Sequence, residues 1–498
     1  MALLIRKILL LIVAFAIAIV VGKLIGEGSF FFLVALLSGL MFVFFLQSPA
    51  IMGVVCVMLY YSGLTAPGIP GKLNIFYLCT AALVVLPVLQ MAMQRLPRIE
   101  WSTSHTWMAL FGAVLLTTML VRGAGFRALG SETWGGMFYV QLFLGMFLVF
   151  ALPLSAIPAK WWPRAILFMG LFGLLPLAAD AAILLGAPPS LVWSVIQGSS
   201  QIGQSMAAQT QVQSGVVRYF SAGPAGQLLL VGFLSVVRLT DLLSLHGLWL
   251  LPLPIAFFGI TLLGGYRLAI LSFGLTLLIV AMLQRSFTIG RIFAGIALAV
   301  GLWVALVQTS AHLPQSVQRA VSWIPGTDIP EYIRQDASST VDWRLELWRE
   351  ALSRLPKYWL VGKGYAFSEK KAEGVTGVNR MTDELAWALE TSSYHNGPIS
   401  LLIGLGVFGL VFGSALMVSI LVRHGRRVRA PWAIPRLHQC HQVIYAMTVA
   451  HVLIFFTIYG DVQISFPPLL FMFALLEGLC AADNQEFAVT RRRERLNV

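Results

Sequence analysis

One histidine and several arginines are the side chains of this sequence best suited to chemistry. His395 lies in the segment Ser-Ser-Tyr-His-Asn-Gly-Pro, directly before a long apolar run. An imidazole titrates near neutral pH, so it can accept a proton from a hydroxyl group. Arginine keeps its charge when partly desolvated and binds phosphate oxygens through two N–H groups at once. If these side chains meet in space, they combine a proton acceptor with groups that bind an anion.

The candidate arginines are Arg218, Arg267, Arg344 and Arg349, and each has an ordinary interpretation as well. Arg218 and Arg267 stand at the ends of apolar runs, where long basic side chains often anchor a helix at the membrane surface. Arg344 and Arg349 have acidic neighbours that could form surface ion pairs with them. His395 is, from its position alone, equally well explained as an interfacial residue that closes a helix start. Position therefore leaves both interpretations open.

Three further polar residues are candidates for supporting roles. Asn396 could orient a substrate or cap the helix that follows it. Asp461 ends an apolar run, where it could orient His395 or an arginine, or act only as a loop acid beside a helix end. Asp180 lies inside the apolar run 171–185, where a charge is costly and no partner is obvious. The sequence has no Asp-x-Asp motif, so we expect neither a metal nor another cofactor at this site.

The composition places most of the chain in a membrane. Of 498 residues, 58% are hydrophobic and 11% are charged, against about 25% charged in an average soluble domain. The apolar runs are continuous rather than alternating, which predicts helices instead of barrel strands. The net charge of +13 is divided among short clusters between these runs, so it indicates topology and not nucleic-acid binding. The four cysteines form no CxxC pair and indicate neither a metal site nor a disulfide framework.

Windows of about 20 apolar residues predict an all-α, polytopic transmembrane bundle of about 12 to 14 spans. The windows are 3–21, 29–47, 49–65, 73–93, 106–121, 134–156, 162–187, 225–242, 247–263, 265–284, 291–310, 396–422, 441–460 and 463–482. We interpret the first as a retained span and not a cleaved signal. With the N terminus in the cytoplasm, the short Lys- and Arg-rich loops all fall inside. This predicts a multi-pass protein of a bacterial inner membrane, with both termini in the cytoplasm.

The predicted topology divides the chain into four parts. They are an N-terminal bundle over 1–310, a periplasmic loop over 311–395, C-terminal transmembrane helices over 396–482 and a basic cytoplasmic tail over 483–498. The loop is the largest polar stretch of the chain. A large exterior loop late in the sequence is therefore where we expect function to reside.

An amphipathic helix is predicted inside this loop, over about residues 339–355. Hydroxyl groups and an acid over 338–342 resemble a helix start, and apolar residues then recur at helical spacing until Pro356. We expect this helix to lie on the membrane surface or to cap the bundle. Its charged residues would then lie near lipid headgroups.

The motifs around these residues resemble those of a known family. A Trp-Arg-x-x-x-Trp-Arg-Glu-Ala helix beginning at Trp343, a Pro-x-x-x-Leu-x-Gly-x-Gly turn beginning at Pro356, and a His-Asn pair follow one another. This succession is similar to the O-antigen ligase and polymerase family, bacterial membrane glycosyltransferases of the GT-C type. The resemblance is best over 216–475. It includes the segment after Arg218, without the usual Asn after its Pro, and Gly-Gly-Tyr-Arg, with Tyr266 in place of a Ser.

The resemblance implies a transferase that moves a glycan from an undecaprenyl-diphosphate carrier to an acceptor hydroxyl at the periplasmic face. His395 would activate the acceptor, and inversion at the sugar carbon would follow from direct displacement without a metal. Three arginines would bind the diphosphate: Arg218, Arg267 and Arg344. Four residues would support them: Asp461, Asn396, Arg349 and Asp180. The acceptor is lipid A core, another glycan or a protein, and the number of spans slightly favours a surface-polysaccharide polymerase over a ligase.

Two other classes of protein compete with this hypothesis. A polysaccharide transporter or lipid-linked glycan flippase would also have many spans and inward-facing arginines. However, the sequence shows no internal repeat and no matching pair of Gly- or Pro-broken spans, and its charge is concentrated in one loop and not at the midplane. A structural scaffold in the membrane would leave the histidine and arginine motifs unexplained.

Overall fold

The computed structural model describes residues 48–65, 74–92, 101–126, 133–188, 219–242, 247–367 and 380–496, with a few single positions between them. Every regular element in these residues is a helix, and β-pairing is confined to three isolated bridges. The helices are α1 Pro49–Leu59, α2 Ile75–Ala92, α3 Thr103–Arg122, α4 Gly136–Leu154, α5 Trp162–Phe172, α6 Leu175–Leu184, α7 Ala222–Val236, α8 Leu239–Leu242, α9 Pro252–Leu263, α10 Arg267–Leu283, α11 Ile289–Thr309, α12 Gln315–Val321, α13 Glu331–Ser353, α14 Leu355–Tyr358, α15 Arg380–Glu390, α16 Gly397–Arg429, α17 Pro435–Thr457 and α18 Val462–Leu496. The all-α prediction is confirmed.

Twelve of the described helical stretches are apolar enough to lie in a membrane. Seven have the length to cross it: Thr103–Arg122, Gly136–Leu154, Ala159–Ile183, Ile289–His312, Gly397–Arg429, Pro435–Thr457 and Val462–Ala488. Five are shorter: Pro49–Leu59, Ile75–Val85, Ala222–Val236, Pro252–Leu263 and Arg267–Leu283. The chain is thus a multi-pass membrane protein. The spans predicted at 3–21 and 29–47 lie outside the described residues, and the four-part division of the chain stays a prediction.

The core forms where close backbone contacts hold helices together. In α7, a Cβ added to Gly226 would lie 2.2 Å from the Thr261 hydroxyl oxygen of α9. A Cβ added to Gly170 of α5 would lie 2.6 Å from the Leu228 carbonyl oxygen of α7. The hydrophobic effect between helices in lipid is weak. Small residues instead let two helices approach closely, and the resulting van der Waals contacts stabilise their packing. α18 provides the longest buried stretch and packs on α4 and α17.

The surface helix α13 begins earlier than the sequence suggests. It starts at Glu331, after Pro330 in extended backbone, and ends at Ser353. The predicted start near residue 339, with its cap of hydroxyl groups, is wrong because Pro330 already sets the backbone for the first turn. Pro356 falls in the first turn of the short helix α14. The helix is therefore longer than its apolar pattern and reaches back to α12.

The long helix α16 is broken at Gly406, where φ is 75°. Residues 355–367, which we call the docking segment, lie against the break. The backbone N–H of Lys363 donates to the Ile403 carbonyl over 2.8 Å, and that of Val407 donates to the Trp359 carbonyl over 2.7 Å. A Cβ on Gly362 would lie 2.3 Å from the Gly404 carbonyl oxygen, so glycine is required there. The loop therefore provides hydrogen bonds that the broken helix lacks.

The docking segment is also fixed to α3. The Arg122 Nε donates to the Gly362 carbonyl over 2.8 Å, and the Thr118 hydroxyl donates to the Val361 carbonyl over 3.0 Å. A further bridge pairs Trp134 with Phe367. Contacts with α3 and with the residues just before α4 thus hold the docking segment in place.

The helix α16, including the part after its break, is long enough for its two ends to reach opposite sides of a membrane. The helix has 33 residues, which corresponds to about 50 Å at about 1.5 Å per residue. The hydrocarbon core of a bilayer is about 30 Å thick. We call the end that follows His395 the His395 face, and the end that carries Arg423, Arg426, Arg427 and Arg429 the Arg429 face.

Candidate functional site

A buried carboxylate organises the turn that leads into α16. Asp461 is fully buried directly before α18. Its Oδ1 accepts the backbone N–H groups of Tyr394 and His395 over 2.8 and 2.9 Å. Its Oδ2 accepts the Ser393 hydroxyl over 3.1 Å. The three donors stabilise the carboxylate in a place with no access to water, and they fix the position of the following residue, His395.

The imidazole of His395 lies beside the same carboxylate. Its Nδ1 is 3.0 Å from Oδ2 of Asp461, without the alignment of a full hydrogen bond. The ring stacks on Tyr459 with centroids 4.9 Å apart, and Trp343 lies 5.6 Å away. About a fifth of the side chain stays exposed. Because the carboxylate occupies the Nδ1 side, Nε2 is the nitrogen placed to face a substrate, as in the pairing of a base with an orienting acid.

Arg344 shares an aromatic ring with His395. Its guanidinium carbon lies 5.5 Å from the ring centroid of Tyr459, which also stacks on the imidazole. The Arg344 Nε and the Trp343 Nε1 are both buried and have no hydrogen-bond partner in the part of the chain that the structure describes. Buried donors of this kind are normally satisfied, so they are candidate contacts for a ligand. Within the same described ranges, Arg344 forms no ion pair with an acidic neighbour.

The motif around Arg344 also explains how α13 is placed. Trp348 donates from Nε1 to the Tyr394 carbonyl over 2.8 Å, directly beside His395. Leu347 and Tyr394 are fully buried in one small apolar cluster with Ile403 of α16. The first Trp-Arg pair of the motif therefore faces the site, and the second tryptophan attaches the helix to the turn that carries the histidine.

Arg349 does not face this cluster. Its side chain is exposed, and its acidic neighbour Glu350 pairs instead with Arg354 over 3.0 Å. The expected surface ion pair is thus formed by another arginine of the same helix. A supporting role for Arg349 stays a prediction that no contact of the described residues favours.

Arg267 lies in a second basic cluster. Its Nη2 donates to the Ser322 hydroxyl over 2.9 Å. Nearby, Arg319 donates from Nη1 to the Gly265 carbonyl over 2.9 Å and pairs with Asp336 of α13. Asp336 precedes Arg344 on that helix by a rise of about 12 Å, from about 1.5 Å per residue. No hydrogen bond or ion pair of the described residues joins Arg267 to Arg344: Arg267 contacts Ser322, and it is Arg319 that pairs with α13.

Arg319 is a residue of this region that the sequence does not single out. It is buried, and its guanidinium contacts a backbone carbonyl and a carboxylate. No motif surrounds it, and its partners lie 54 and 17 residues away along the chain. The composition of the short helix α12, Gln-Ser-Val-Gln-Arg-Ala-Val, gave no signal either, because an arginine is ordinary among so many polar residues.

The remaining candidates have simple structural roles. The Asn396 Oδ1 accepts the backbone N–H of Ile399 over 3.1 Å, which confirms that this residue caps α16. Asp180 has a partner after all, because the Ser221 hydroxyl donates to its Oδ2 at the start of α7. The sequence shows no obvious partner because Ser221 lies 41 residues further along the chain. A supporting role for Asp180 in the site stays a prediction. Arg218 lies outside the described residues.

A comparison with known families covers the segment that carries most of these residues. Residues 253–414 match the family model described as O-antigen ligase. This segment is an O-antigen ligase family domain. It runs from α9 into α16 and contains Arg267, Arg344 and His395, while Asp461 follows it. The match supports a membrane enzyme with a function of the O-antigen ligase or polymerase type. No curated protein matches the chain.

Proposed function

We propose that the protein transfers a glycan from an undecaprenyl-diphosphate carrier to an acceptor hydroxyl at the periplasmic face of a bacterial inner membrane. One observation carries this proposal. The Nδ1 of His395 lies 3.0 Å from the buried carboxylate of Asp461, and Arg344 lies over the tyrosine ring on which the histidine stacks. A base, its orienting acid and a cation free of acidic partners in the described residues thus meet at one end of the bundle.

In this proposal His395 acts as the general base. Its Nε2 takes the proton of the acceptor hydroxyl as the oxygen attacks the anomeric carbon of the donor sugar. The bond between that carbon and the diphosphate oxygen breaks, and its electron pair leaves with the carrier lipid. Attack opposite the leaving group inverts the configuration at the sugar carbon. Asp461 stabilises the imidazolium that forms and keeps the ring in the productive orientation.

The arginines stabilise the leaving group. Negative charge develops on the diphosphate as the glycosidic bond breaks, and donors already in place stabilise it most effectively. Arg344 suits this role because no described carboxylate neutralises it, whereas Arg319 is paired with Asp336. Arg267 would contact the same donor from the second cluster, and Arg218 is kept as a third candidate on the resemblance alone. In this proposal the arginines neutralise the diphosphate, as a divalent metal does in sugar-nucleotide enzymes with an Asp-x-Asp motif. No step of the reaction therefore requires a metal.

The loop position also favours an exterior site. Arginines are concentrated on the Arg429 face, at the end of α16 opposite His395. Because short cytoplasmic loops carry most Lys and Arg, the Arg429 face would be cytoplasmic and the His395 face periplasmic. Lipid-linked donors that have been flipped across the membrane are available there. Acceptors would be lipid A core, a further glycan repeat or a protein, and the number of spans slightly favours a polysaccharide polymerase.

The test is complementation of a strain that lacks the native enzyme. We expect His395→Ala to insert in the membrane at normal levels and to leave glycan on its lipid carrier, with none displayed at the surface. His312→Ala is the matched control, because His312 is an exposed histidine at the start of the same loop. That variant should restore display. Normal display by His395→Ala would refute the catalytic role.

A further inference from the structure

Three residues able to bind a metal meet inside the bundle near the Arg429 face. His424 of α16, His441 of α17 and Cys480 of α18 place one donor atom each within 4.8 Å of the other two. Both histidines are buried, and Cys480 is half-buried. His424 follows the break at Gly406 by 18 positions, or about 27 Å of continuous helix at about 1.5 Å per residue, and His395 lies before the break. This cluster is therefore remote from the candidate active site.

The two imidazoles have the spacing of ligands on one ion. Nδ1 of His424 and Nε2 of His441 are 3.2 Å apart. Two nitrogens that each lie about 2.0–2.1 Å from a tetrahedral zinc ion are separated by about 3.3 Å. The sulfur of Cys480 lies within 4.8 Å of both nitrogens, and as the third ligand of a tetrahedral zinc ion it would lie about 3.6 Å from each. A fourth position would remain for water.

The carboxylate of Glu477 lies beside His424, where zinc sites have an acid that orients the ligating histidine. Oε1 of Glu477 lies 3.3 Å from Nε2 of His424, without the alignment of a full hydrogen bond, whereas Nδ1 of His424 faces His441. Such a carboxylate holds the proton on Nε2 and leaves the Nδ1 lone pair for the metal. Arg423 in turn binds Glu477 through two N–H groups over 2.7 and 3.0 Å. The orienting acid is thus itself fixed in place.

The protonation of His424 and that of His441 are coupled through the hydrogen bond between their imidazoles. When His424 carries its proton on Nε2, His441 must donate from its own Nε2 to the His424 Nδ1. The Nδ1 of His441 is then a buried acceptor, and it has no hydrogen-bond partner in the described ranges of the chain. A metal ion bound to Nε2 of His441 would replace the hydrogen bond between the two histidines and leave Nδ1 as the protonated nitrogen.

We propose that His424, His441 and Cys480 bind one Zn²⁺ that ties together α16, α17 and α18. On binding, the proton of His441 moves from Nε2 to Nδ1, and the Cys480 thiol loses its proton to solvent. Two metal–nitrogen bonds and one metal–sulfur bond form, and one proton is released in total. The site is independent of the glycan-transfer proposal, and its role is to hold three helices together at the Arg429 face.

The test uses the purified full-length protein in detergent, with Co²⁺ as the probe for Zn²⁺. We expect one equivalent of Co²⁺ to give the visible absorption of a tetrahedral site together with a thiolate-to-cobalt charge-transfer band. Zn²⁺ should displace it and abolish both signals. Cys480→Ser should lose the charge-transfer band, and His441→Gln should bind at least about tenfold more weakly.

Cys440→Ser is the matched control. Cys440 is a buried cysteine of α17 whose sulfur donates to the Ser235 carbonyl, so its replacement should leave the cobalt spectrum unchanged. As a second measurement, Zn²⁺ should raise the melting temperature of the native protein and of Cys440→Ser, but not that of Cys480→Ser. Absence of the charge-transfer band in the native protein, or its survival in Cys480→Ser, would overturn the proposal.

Discussion

His395 has a left-handed backbone conformation, with φ at 54°, that costs a non-glycine residue about 1 kcal/mol or more. Two backbone N–H bonds from Tyr394 and His395 to Asp461 hold the turn in this conformation. The same carboxylate lies beside the imidazole. One acid therefore sets both the backbone and the ring, and this makes Asp461 a positioning residue for the histidine.

The first prediction concerns this acid. Asp461→Asn keeps the size of the side chain but removes the negative charge that stabilises an imidazolium. We expect the transfer rate at saturating donor to fall about 100-fold or more, since general-base catalysis contributes about 10²- to 10⁴-fold. Initial-rate measurements on purified protein check this.

Ser393→Ala is the control for that measurement, because it removes one hydroxyl donor to Asp461 and leaves the charge. Its rate should stay within about threefold of the native value, consistent with a neutral hydrogen bond worth about 1 kcal/mol. Equal rates for Asp461→Asn and the native protein would exclude an orienting role for the acid.

The second prediction separates the two arginines of the Trp-Arg motif on helix α13. Arg344→Lys keeps one charge but loses the planar fork and the contact with Tyr459, so we expect the KM for the lipid-linked donor to rise about tenfold. Arg349→Ala, an exposed arginine on the same helix, should leave KM within about twofold. Donor titrations on both variants decide this, and a larger effect from Arg349→Ala would contradict the placement of the donor.

The identity of the chemical groups was predictable at this scale, but their contacts were not. His395, Arg344 and Asp461 all follow from residue type and position near apolar runs. Tyr459 and Arg319 were missed, because a shared ring and a buried ion pair arise from residues that the fold brings together. The cluster of His424, His441 and Cys480 was not predicted either, because its members come from three helices that only the fold brings together.

At the scale of elements, the break in α16 determines where the loop can attach. Hydropathy shows one continuous apolar run there, so the sequence predicts an unbroken span. The break depends on Gly406 and on hydrogen bonds from the docking segment, which lies some 40 residues earlier in the chain. Local patterns cannot reveal a partner at that distance. They did predict the helix α13, although Pro330 moved its start. They did not predict which side packs, because Leu345 and Leu352 of the apolar pattern are exposed while Leu347 and Ala351 are buried.

The third prediction tests the docking segment. Gly362 has φ of 81°, and a Cβ there would lie 2.3 Å from a backbone oxygen of α16. Gly362→Ala should therefore destabilise the protein by about 2 kcal/mol or more, from a left-handed conformation that costs about 1–2 kcal/mol and from the backbone clash. Thermal unfolding in detergent measures it.

Gly301→Ala is the matched control, because Gly301 lies within α11 and an added Cβ would contact nothing within 4 Å. It should leave the melting temperature unchanged or raise it slightly, since alanine favours helix by about 0.5–1 kcal/mol. A native melting temperature for Gly362→Ala would show that the segment does not need its close contact with α16.

At the scale of the whole molecule, the composition and apolar windows predicted the fold class, and the helices confirm it. Span lengths were less predictable, because α7, α9 and α10 are shorter than their apolar windows. Helix packing decides how much of an apolar run stays helical. The separation of two polar sites at the ends of α16 appears only in three dimensions.

The fourth prediction fixes the orientation of the molecule. Truncated chains fused to alkaline phosphatase after Lys370 should be active, because this enzyme works only in the periplasm. Fusions after Arg429 should be inactive there, because the arginine-rich end faces the cytoplasm. An active fusion after Arg429 together with an inactive one after Lys370 would place the candidate site on the wrong side for a periplasmic reaction.

The most direct measurement is a single-turnover transfer assay with purified protein, a defined undecaprenyl-diphosphate oligosaccharide and its acceptor. We expect His395→Ala to bind the donor with native affinity and to transfer about 10²- to 10⁴-fold more slowly. Arg344→Ala should instead bind the donor at least about tenfold more weakly. Transfer by His395→Ala at the native rate would contradict the central role of the histidine oriented by Asp461.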